Sequence, residues 1–275
     1  MKKANGQQLS LFDITLNHDI EIISAEPPTI IEPVKKEKQI VGGDNLCPYP
    51  IPTVDEIIKM IDRSSYKVNR SQLISDVFEC GALAISNKVD FAQYNKREQR
   101  YLEIIKKYKP DEQKLIVDIF TKIFCLCSSV VYDNGTFNDY LGTLFMKCNQ
   151  GDKKAGQFFT PYDVSKFMAK VTITTDKINQ GEILTVNDCC CGGGGLLIAA
   201  LDVLKNDYGV NYARNCFIEA GDIDIRCVHM TYLQLSLASV PAIVKHQNTF
   251  TRELWSVWKT PAYIFQYHRF YKYEV

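Results

Sequence analysis

The sequence lacks an excess of charge of either sign, since its 275 residues include 32 Lys and Arg and 32 Asp and Glu. This balance excludes a chain that its overall field would hold on DNA or on an anionic membrane, so a nucleic-acid surface must be a local patch. The sequence also lacks a secretory signal and an uncharged apolar run long enough to span a bilayer. We therefore expect no membrane partner.

Paired cysteine motifs are also missing. The chain has 10 cysteines but no Cys-x-x-Cys pair. Cys189, Cys190 and Cys191 are consecutive, and Cys125 and Cys127 lie in an apolar run with helical spacing. This pattern favours buried reduced thiols over a disulfide framework or a zinc site. It predicts a cytoplasmic protein without a metal centre.

The N-terminal segment, residues 1–46, is rich in Pro, Glu and Lys and has no sustained apolar period. This composition predicts a disordered tail. Within it, Gln8-Leu9-Ser10-Leu11-Phe12 resembles the short peptide by which many bacterial DNA-processing proteins dock on the replicative sliding clamp. Leu11 and Phe12 would enter an apolar pocket, while Gln8 would supply hydrogen bonds. A chance apolar pentapeptide is the alternative.

Helical periodicity dominates residues 47–150, for which we predict an α-helical domain. Thr53 is a good N-cap, and Glu56 three residues later completes a capping box. Apolar spacing predicts further helices ending before residue 87 and over 99–108, 112–131 and 137–148.

A strand, a glycine turn and a helix follow one another in the next region. A β-branched run at 183–186 leads to Asp188, four glycines occupy 192–195, and an apolar run covers 196–204. Such a turn lets a ligand approach the backbone and the N–H groups of the helix N-terminus. An ordinary tight connection is the alternative. A nicotinamide-type G-x-G-x-x-G is not met, because Leu197 stands at its third glycine.

Several motifs in a fixed order raise the specificity of that turn. They are GQFFTP at 156–161, D-x-x-C-G-x-G-G at 188–195, GDID at 221–224 and QLSLASVPA at 234–242. Together they resemble the modification subunits of type I restriction systems and related adenine-N6 DNA methyltransferases, over residues 138–250. The resemblance implies an S-adenosylmethionine cofactor, a DNA substrate and a specificity or complementary methyltransferase subunit as partner. It also implies an α/β, Rossmann-like methyltransferase domain with a truncated sheet at 151–275, after the helical domain.

Cofactor contacts follow partly from the resemblance and partly from the pattern. The resemblance implies that three residues of the first motif contact the cofactor: Phe159, Thr160 and Pro161. Thr160 and Pro161 can instead begin a helix, as N-cap and first helical residue. Asp188 ends a strand, where open α/β sheets bind ligands, and its carboxylate suits the cationic side of the cofactor. The turn is predicted to approach the cofactor carboxylate at Cys191, Gly192 and Gly194.

Two further strands carry the other predicted contacts. The strand at 216–222 ends in Asp222, an acid placed to accept both ribose hydroxyls. Asp224 is the alternative, or lies near the adenine edge, or caps the next helix. After a third strand at 241–244, Asn248 stands where the resemblance implies a polar contact with the cofactor adenine.

The expected catalytic loop is not recognisable. In the family an (N/D)-P-P-(Y/F) loop accepts the hydrogens of the adenine amine and stacks on the flipped base. The nearest match here is Thr260-Pro261-Ala262-Tyr263, interpreted as a degenerate catalytic loop or an unrelated turn. The aromatic-rich end is predicted to add a strand or dock on a partner. We expect adenine-N6 methylation of DNA; the alternative is an inactive cofactor-binding or split-enzyme subunit used for assembly or DNA targeting.

Overall fold

The computed structural model describes residues 15–16, 46–64, 69–149, 158–173 and 183–270. Most of the predicted disordered tail lies outside these ranges, and so does the sliding-clamp peptide at residues 8–12. Residues 156–157 of the first motif and the last five residues of the aromatic-rich end also lie outside them. Predictions made for these segments stay predictions.

Among the described residues 46–149, the α-helices are α1 (Val54–Ser64), α2 (Arg70–Asn87), α3 (Tyr94–Ile105), α4 (Pro110–Ser128) and α5 (Tyr140–Cys148). Short 3-10 turns lie at Phe91–Gln93 and Ser129–Val131. The predicted cap of α1 is confirmed, because Thr53 Oγ1 accepts a hydrogen bond of 3.2 Å from the Glu56 backbone N–H. Proline at the first position of α4 fits its start, since that N–H needs no helical partner.

The helical region and the α/β region share one hydrophobic cluster. Helix α2 buries Leu73, Val77 and Phe78, and it packs against a helix of the α/β region, α9 (Ile225–Leu237). Buried residues of both regions belong to the same continuous core. The predicted domain boundary near residue 150 stays a prediction.

The α/β region contains the strands β2 (Leu184–Asp188), β3 (Cys216–Asp222), β4 (Ala242–Asn248) and β5 (Glu253–Lys259). A short strand, β1 (Thr15–Leu16), joins the same sheet. Its other helices are α6 (Tyr162–Thr172), α7 (Gly195–Asp202), α8 (Tyr212–Asn215), α10 (Pro261–Phe265) and α11 (Tyr267–Phe270). Helix α7 continues into a π-helical turn, Val203–Asp207.

The sheet has the order β1-β2-β3-β4-β5 and is mixed. Strands β2, β3 and β4 are parallel, whereas β1 and β5 pair antiparallel with their neighbours. The C-terminal ends of the three parallel strands therefore meet at one end of the sheet, which we call the carboxyl end, and their N-terminal ends meet at the amino end. Asp188 ends β2 and Asp222 ends β3 at the carboxyl end. The predicted mixed α/β class is confirmed.

The aromatic segment after β5 is helical, so the predicted additional strand is wrong for its described part, residues 261–270. Thr260 and Pro261 form a favourable helix start, because the Thr260 hydroxyl caps α10 and Pro261 is its first residue. The two short helices then bury Tyr263 and Phe270 against Phe217 of β3. Aromatic burial at the amino end therefore takes the place of strand pairing.

Arg97 of α3 connects the helical region to β5. Its guanidinium donates a hydrogen bond of 2.7 Å to the Val257 carbonyl and one of 2.8 Å to the Asp90 carboxylate. The guanidinium carbon also lies 4.1 Å from the ring centre of Trp258. The side chain is buried, so these contacts replace the water that a guanidinium would otherwise hold.

Two global features complete the fold. Across the parts of the chain listed above, no helix has the length and apolar content that a membrane crossing requires. All ten cysteines are free thiols.

Candidate cofactor site

A cleft of about 250 Å³ opens at the carboxyl end of the sheet. It is lined by five of the residues predicted from the sequence: Phe159, Thr160, Cys191, Gly192 and Asp222. The segment before β2, the glycine turn after β2 and the end of β3 are therefore brought together, as parallel strands require.

The glycine turn needs glycine at two positions. Gly192 has φ +53° and Gly194 has φ +89°, a region that residues with a Cβ rarely adopt. A Cβ at Gly192 would lie 3.1 Å from the ring of Phe159, and one at Gly194 would lie 3.0 Å from Thr231 Oγ1. The turn is thus closely packed on both sides, and the Phe159 ring forms a wall of the cleft beside bare backbone.

Asp222 holds the glycine turn and the β3 turn together. One carboxylate oxygen accepts a hydrogen bond of 2.9 Å from the Gly192 N–H, and the other accepts one of 2.8 Å from the Asp224 N–H. A carboxylate has about four acceptor sites, so Asp222 keeps capacity for donors in the cleft. The Gly192 N–H is committed to Asp222, which differs from the expectation that the turn's N–H groups all face a ligand.

Asp188 lies beside the cleft but not among its lining residues. Its carboxylate accepts a hydrogen bond of 3.1 Å from the Cys190 N–H. Burial raises the pKa of Asp188, and the nearby charge of Asp222 adds to that effect, while the Cys190 N–H opposes it. A cation near this pair would relieve the cost of two neighbouring carboxylates.

Two predicted contacts have partners within the protein. Asp224 caps α9 through the Arg226 N–H at 2.9 Å and forms an ion pair of 2.6 Å with the Arg226 guanidinium. Of the alternatives for Asp224, the structure therefore shows the helix cap. Asn248 Oδ1 accepts from the backbone N–H groups of Phe250 and Thr251 at 3.0 and 3.2 Å, which closes the turn after β4. Neither residue lines the cleft.

The first motif leads directly into α6. The helix begins at Tyr162 with Pro161 at the N-cap, one residue later than the predicted Thr160 cap. Thr160 lines the cleft and Pro161 does not. Because the N-cap is proline, no side chain caps this helix.

Two polar residues of the cleft escaped the sequence analysis. Asp139 is buried at the N-cap of α5, where its Oδ1 accepts two hydrogen bonds of 2.9 Å, one from the Gly142 N–H and one from Gln234 Nε2. Burial raises the pKa of Asp139 against these two hydrogen bonds. Ser165, in the first turns of α6, is fully buried, and its hydroxyl has no hydrogen-bond partner in the described ranges. The cap pattern before α5 was visible in the sequence, but its position below the glycine turn was not.

The segment predicted as a degenerate catalytic loop lies away from the cleft. Because β5 runs antiparallel to β4, it returns the chain to the amino end of the sheet. There Thr260 Oγ1 accepts a hydrogen bond of 2.9 Å from the Ala242 N–H and donates one of 2.6 Å to the Val240 carbonyl. Tyr263 is fully buried, with its ring centre 5.7 Å from that of Phe217. Thr260, Pro261 and Tyr263 therefore do not line the cleft, and they lie at the start of helix α10.

The sequence region that forms the cleft matches a known protein family. Residues 135–268 match the family described as N-6 DNA Methylase. This match assigns the region that contains the cleft to the N-6 DNA methylases, a family of methyltransferases whose substrate is DNA. Comparison with curated proteins and with solved structures gives no match.

Proposed function

We propose that the protein is an S-adenosylmethionine-dependent DNA methyltransferase that acts on adenine N6 and resembles the modification subunits of type I restriction systems. The observation that carries the proposal is the cleft formed by Phe159, the glycine turn and Asp222 at the carboxyl end of the sheet. The family match over the same region supports it. When bound, the cofactor supplies a methyl group activated by a sulfonium.

The residues of the cleft fit such a cofactor. Asp222 retains acceptor capacity for two ribose hydroxyls. The turn at Gly192 has no Cβ where the Phe159 ring approaches, so a flat or extended ligand can lie on backbone. The unpartnered Ser165 hydroxyl offers a hydrogen bond to a polar group of the ligand.

The proposal assigns chain residues to cofactor binding only. Asp222 would orient the ribose, Phe159 would shield one side of the cleft from water, and Asp188 would favour the cationic side of the ligand. Thr160 would contact the ligand from the start of α6. No residue is assigned to accept the hydrogens of the adenine amine, because Thr260 lies at the amino end of the sheet.

The order of the elements supports a Rossmann-like arrangement. β2, α7, β3, α9 and β4 follow one another as a parallel strand-helix unit, with the ligand cleft where such sheets bind nucleotides. A specificity or complementary methyltransferase subunit as partner belongs to the same proposal and rests on the motif resemblance. A cytoplasmic location is supported by the ten free thiols.

Calorimetry with S-adenosylmethionine tests cofactor binding. We expect Asp222→Asn to weaken binding about tenfold or more, which corresponds to about 1.4 kcal/mol for lost hydrogen bonds. Asp118→Asn, a change at an exposed acid of α4, is the control and should bind as the native protein does. No heat and no thermal shift at millimolar cofactor would reject the proposal.

Methyl transfer needs a separate measurement. DNA incubated with the protein and cofactor should contain N6-methyladenine by mass spectrometry. Methylcytosine without N6-methyladenine would contradict the adenine assignment while leaving cofactor binding intact.

Docking on the sliding clamp stays a prediction for residues outside the described ranges. A pull-down with purified clamp should lose signal when Leu11→Ala and Phe12→Ala are combined, because these side chains would fill the apolar pocket. Gln8 and Leu9 complete the peptide. Equal recovery of the double variant and the native protein would discard this partner.

A further inference from the structure

We propose that Ser165 and Asp139 bind the amino-acid end of the methyl donor: Ser165 donates a hydrogen bond to its carboxylate, and Asp139 accepts one from its ammonium. This inference rests on the proposed function and extends it to two residues that no motif identified. Both side chains line the same cleft as Phe159 and Asp222.

Ser165 carries the first half of the inference. Its side chain is fully buried, and its hydroxyl has no hydrogen-bond partner among the residues that the structure describes. A buried hydroxyl without a hydrogen bond destabilises a fold, and folded proteins seldom leave one unsatisfied. Since this hydroxyl belongs to a residue that lines a cleft, a ligand can supply the missing partner.

The start of α6 favours an anionic partner. The N-cap is Pro161, which has no side-chain hydrogen bond to offer, so the first-turn N–H groups receive no side-chain cap. The positive end of the helix dipole lies at the same place. Ser165 is in the first turns of this 11-residue helix, so its hydroxyl and the helix terminus favour the same kind of group, a carboxylate.

Asp139 carries the second half. Both hydrogen bonds that the described residues donate to its carboxylate go to Oδ1. Oδ2 lies between Gly142 of α5 and Gly195 of the glycine turn, since a Cβ on Gly195 would lie only 2.8 Å from it and one on Gly142 closer still. Glycine at both positions leaves this buried carboxylate oxygen uncovered by a Cβ, and a cationic donor is the partner that such an oxygen favours.

Together the two residues give the cleft a division of labour. Asp222 at the end of β3 suits hydroxyl donors, while Ser165 and Asp139 lie on α6 and α5 and suit opposite charges of a zwitterion. An α-amino acid carries a carboxylate and an ammonium on one carbon, so it matches a hydroxyl donor next to a carboxylate acceptor.

The test compares two nucleosides by calorimetry on the full chain. S-Adenosylhomocysteine has the amino-acid end, whereas 5′-methylthioadenosine has the same nucleoside without it. We expect the native protein to prefer S-adenosylhomocysteine by about tenfold or more. Ser165→Ala and Asp139→Asn should each lower this preference about three- to tenfold while leaving the affinity for 5′-methylthioadenosine unchanged.

A stability measurement and a control accompany the comparison. Without ligand, Ser165→Ala should keep or raise the melting temperature, because it removes an unsatisfied hydroxyl. Ser75→Ala changes a helical serine whose hydroxyl donates to the Ser71 carbonyl of its own helix, and it should not alter either affinity.

The outcomes separate the two levels of the argument. If neither nucleoside binds the native protein, the proposed function fails. If both bind but equally well, or if Ser165→Ala and Asp139→Asn leave the preference unchanged, the inference fails and the proposed function stands. A marked fall in melting temperature for Ser165→Ala without ligand would show that its hydroxyl has a structural partner, which also overturns the inference.

Discussion

Two buried hydroxyls at opposite ends of one sheet have contrasting surroundings. Thr260, at the amino end, exchanges hydrogen bonds with the backbone of Val240 and Ala242. Ser165, at the cleft by the carboxyl end, has no hydrogen-bond partner within the described part of the chain. Both side chains are fully buried, so burial does not distinguish them. The difference lies in whether the protein or a ligand is to complete the hydrogen bonds.

The same contrast extends to the neighbouring residues. The amino end buries aromatic rings around Tyr263, whereas the cleft is lined by glycines and by Asp139, with Asp188 beside it, and burial raises the pKa of both acids. Functional sites commonly retain such destabilising features because a ligand makes use of them. Stability and cofactor binding should therefore respond oppositely to changes at the two ends.

The largest loss of stability is expected for Tyr263→Ala. Removing a fully buried aromatic side chain should lower the free energy of unfolding by about 3–5 kcal/mol. Phe265→Ala removes an exposed ring from the same helix and should change it by about 0.5 kcal/mol or less. Urea denaturation measures both. Equal effects would show that the amino end is not a packed element.

Thr260→Val should come next, with a loss of about 2–3 kcal/mol, because it leaves the buried Ala242 N–H and Val240 carbonyl without Thr260 Oγ1. Cofactor affinity of the folded variant should be unchanged. The same urea series with Ser165→Ala should show no loss. A tighter or weaker cofactor complex for Thr260→Val would revive a role of this residue at the cleft.

A smaller effect is expected for glycine changes. Gly194→Ala and Gly209→Ala both place a Cβ on left-handed backbone, which costs about 1–2 kcal/mol. Only Gly194→Ala also approaches Thr231, since nothing lies within 4 Å of a Cβ at Gly209. Gly194→Ala should therefore lose more stability and also weaken cofactor binding in calorimetry. Equal affinity for both variants would argue against the glycine turn as the cofactor cradle.

The smallest effect concerns pH. Burial raises the pKa of Asp139 in the folded protein, so its favourable contribution is present below the unfolded pKa and is lost as pH rises through the folded pKa. The stability of Asp139→Asn relative to the native protein should therefore be greater at pH 7 than at pH 4, measured by urea denaturation without ligand.

Asp55 provides a control of opposite sign. A hydrogen bond from Lys147 lowers the pKa of this exposed acid, so its contribution is present above the unfolded pKa and is lost as pH falls. The stability of Asp55→Asn relative to the native protein should therefore be lower at pH 7 than at pH 4. A pH response of the same sign for both variants would contradict the assignment for Asp139.

The local patterns of the sequence predicted much of the cofactor region. The strand ending in Asp222 has the predicted bounds, and the helix after it begins at Ile225 as expected. These elements follow from short-range signals, an apolar run and a cap. Thr160 and Phe159 were carried by motif resemblance, and both line the cleft.

Long-range placement could not be predicted in the same way. The segment before Thr260 is an antiparallel strand whose first three residues are exposed. Its pairing with β4 sends Thr260 away from the cleft. Asp139 and Ser165 lie 26 residues apart on different helices, so only the folded chain brings them to one cavity.

Arg97 covers a backbone group on β5, the last strand in the order of the described sheet. The outermost strand of a sheet presents unpaired backbone groups that can template the addition of a strand from another molecule, and covering them protects against aggregation. Here the Val257 carbonyl of β5 already accepts a hydrogen bond from a buried guanidinium that also stacks on Trp258. A single arginine from the helical region thus occupies a backbone acceptor of the outer strand, which would hinder another chain from pairing with the sheet at this point.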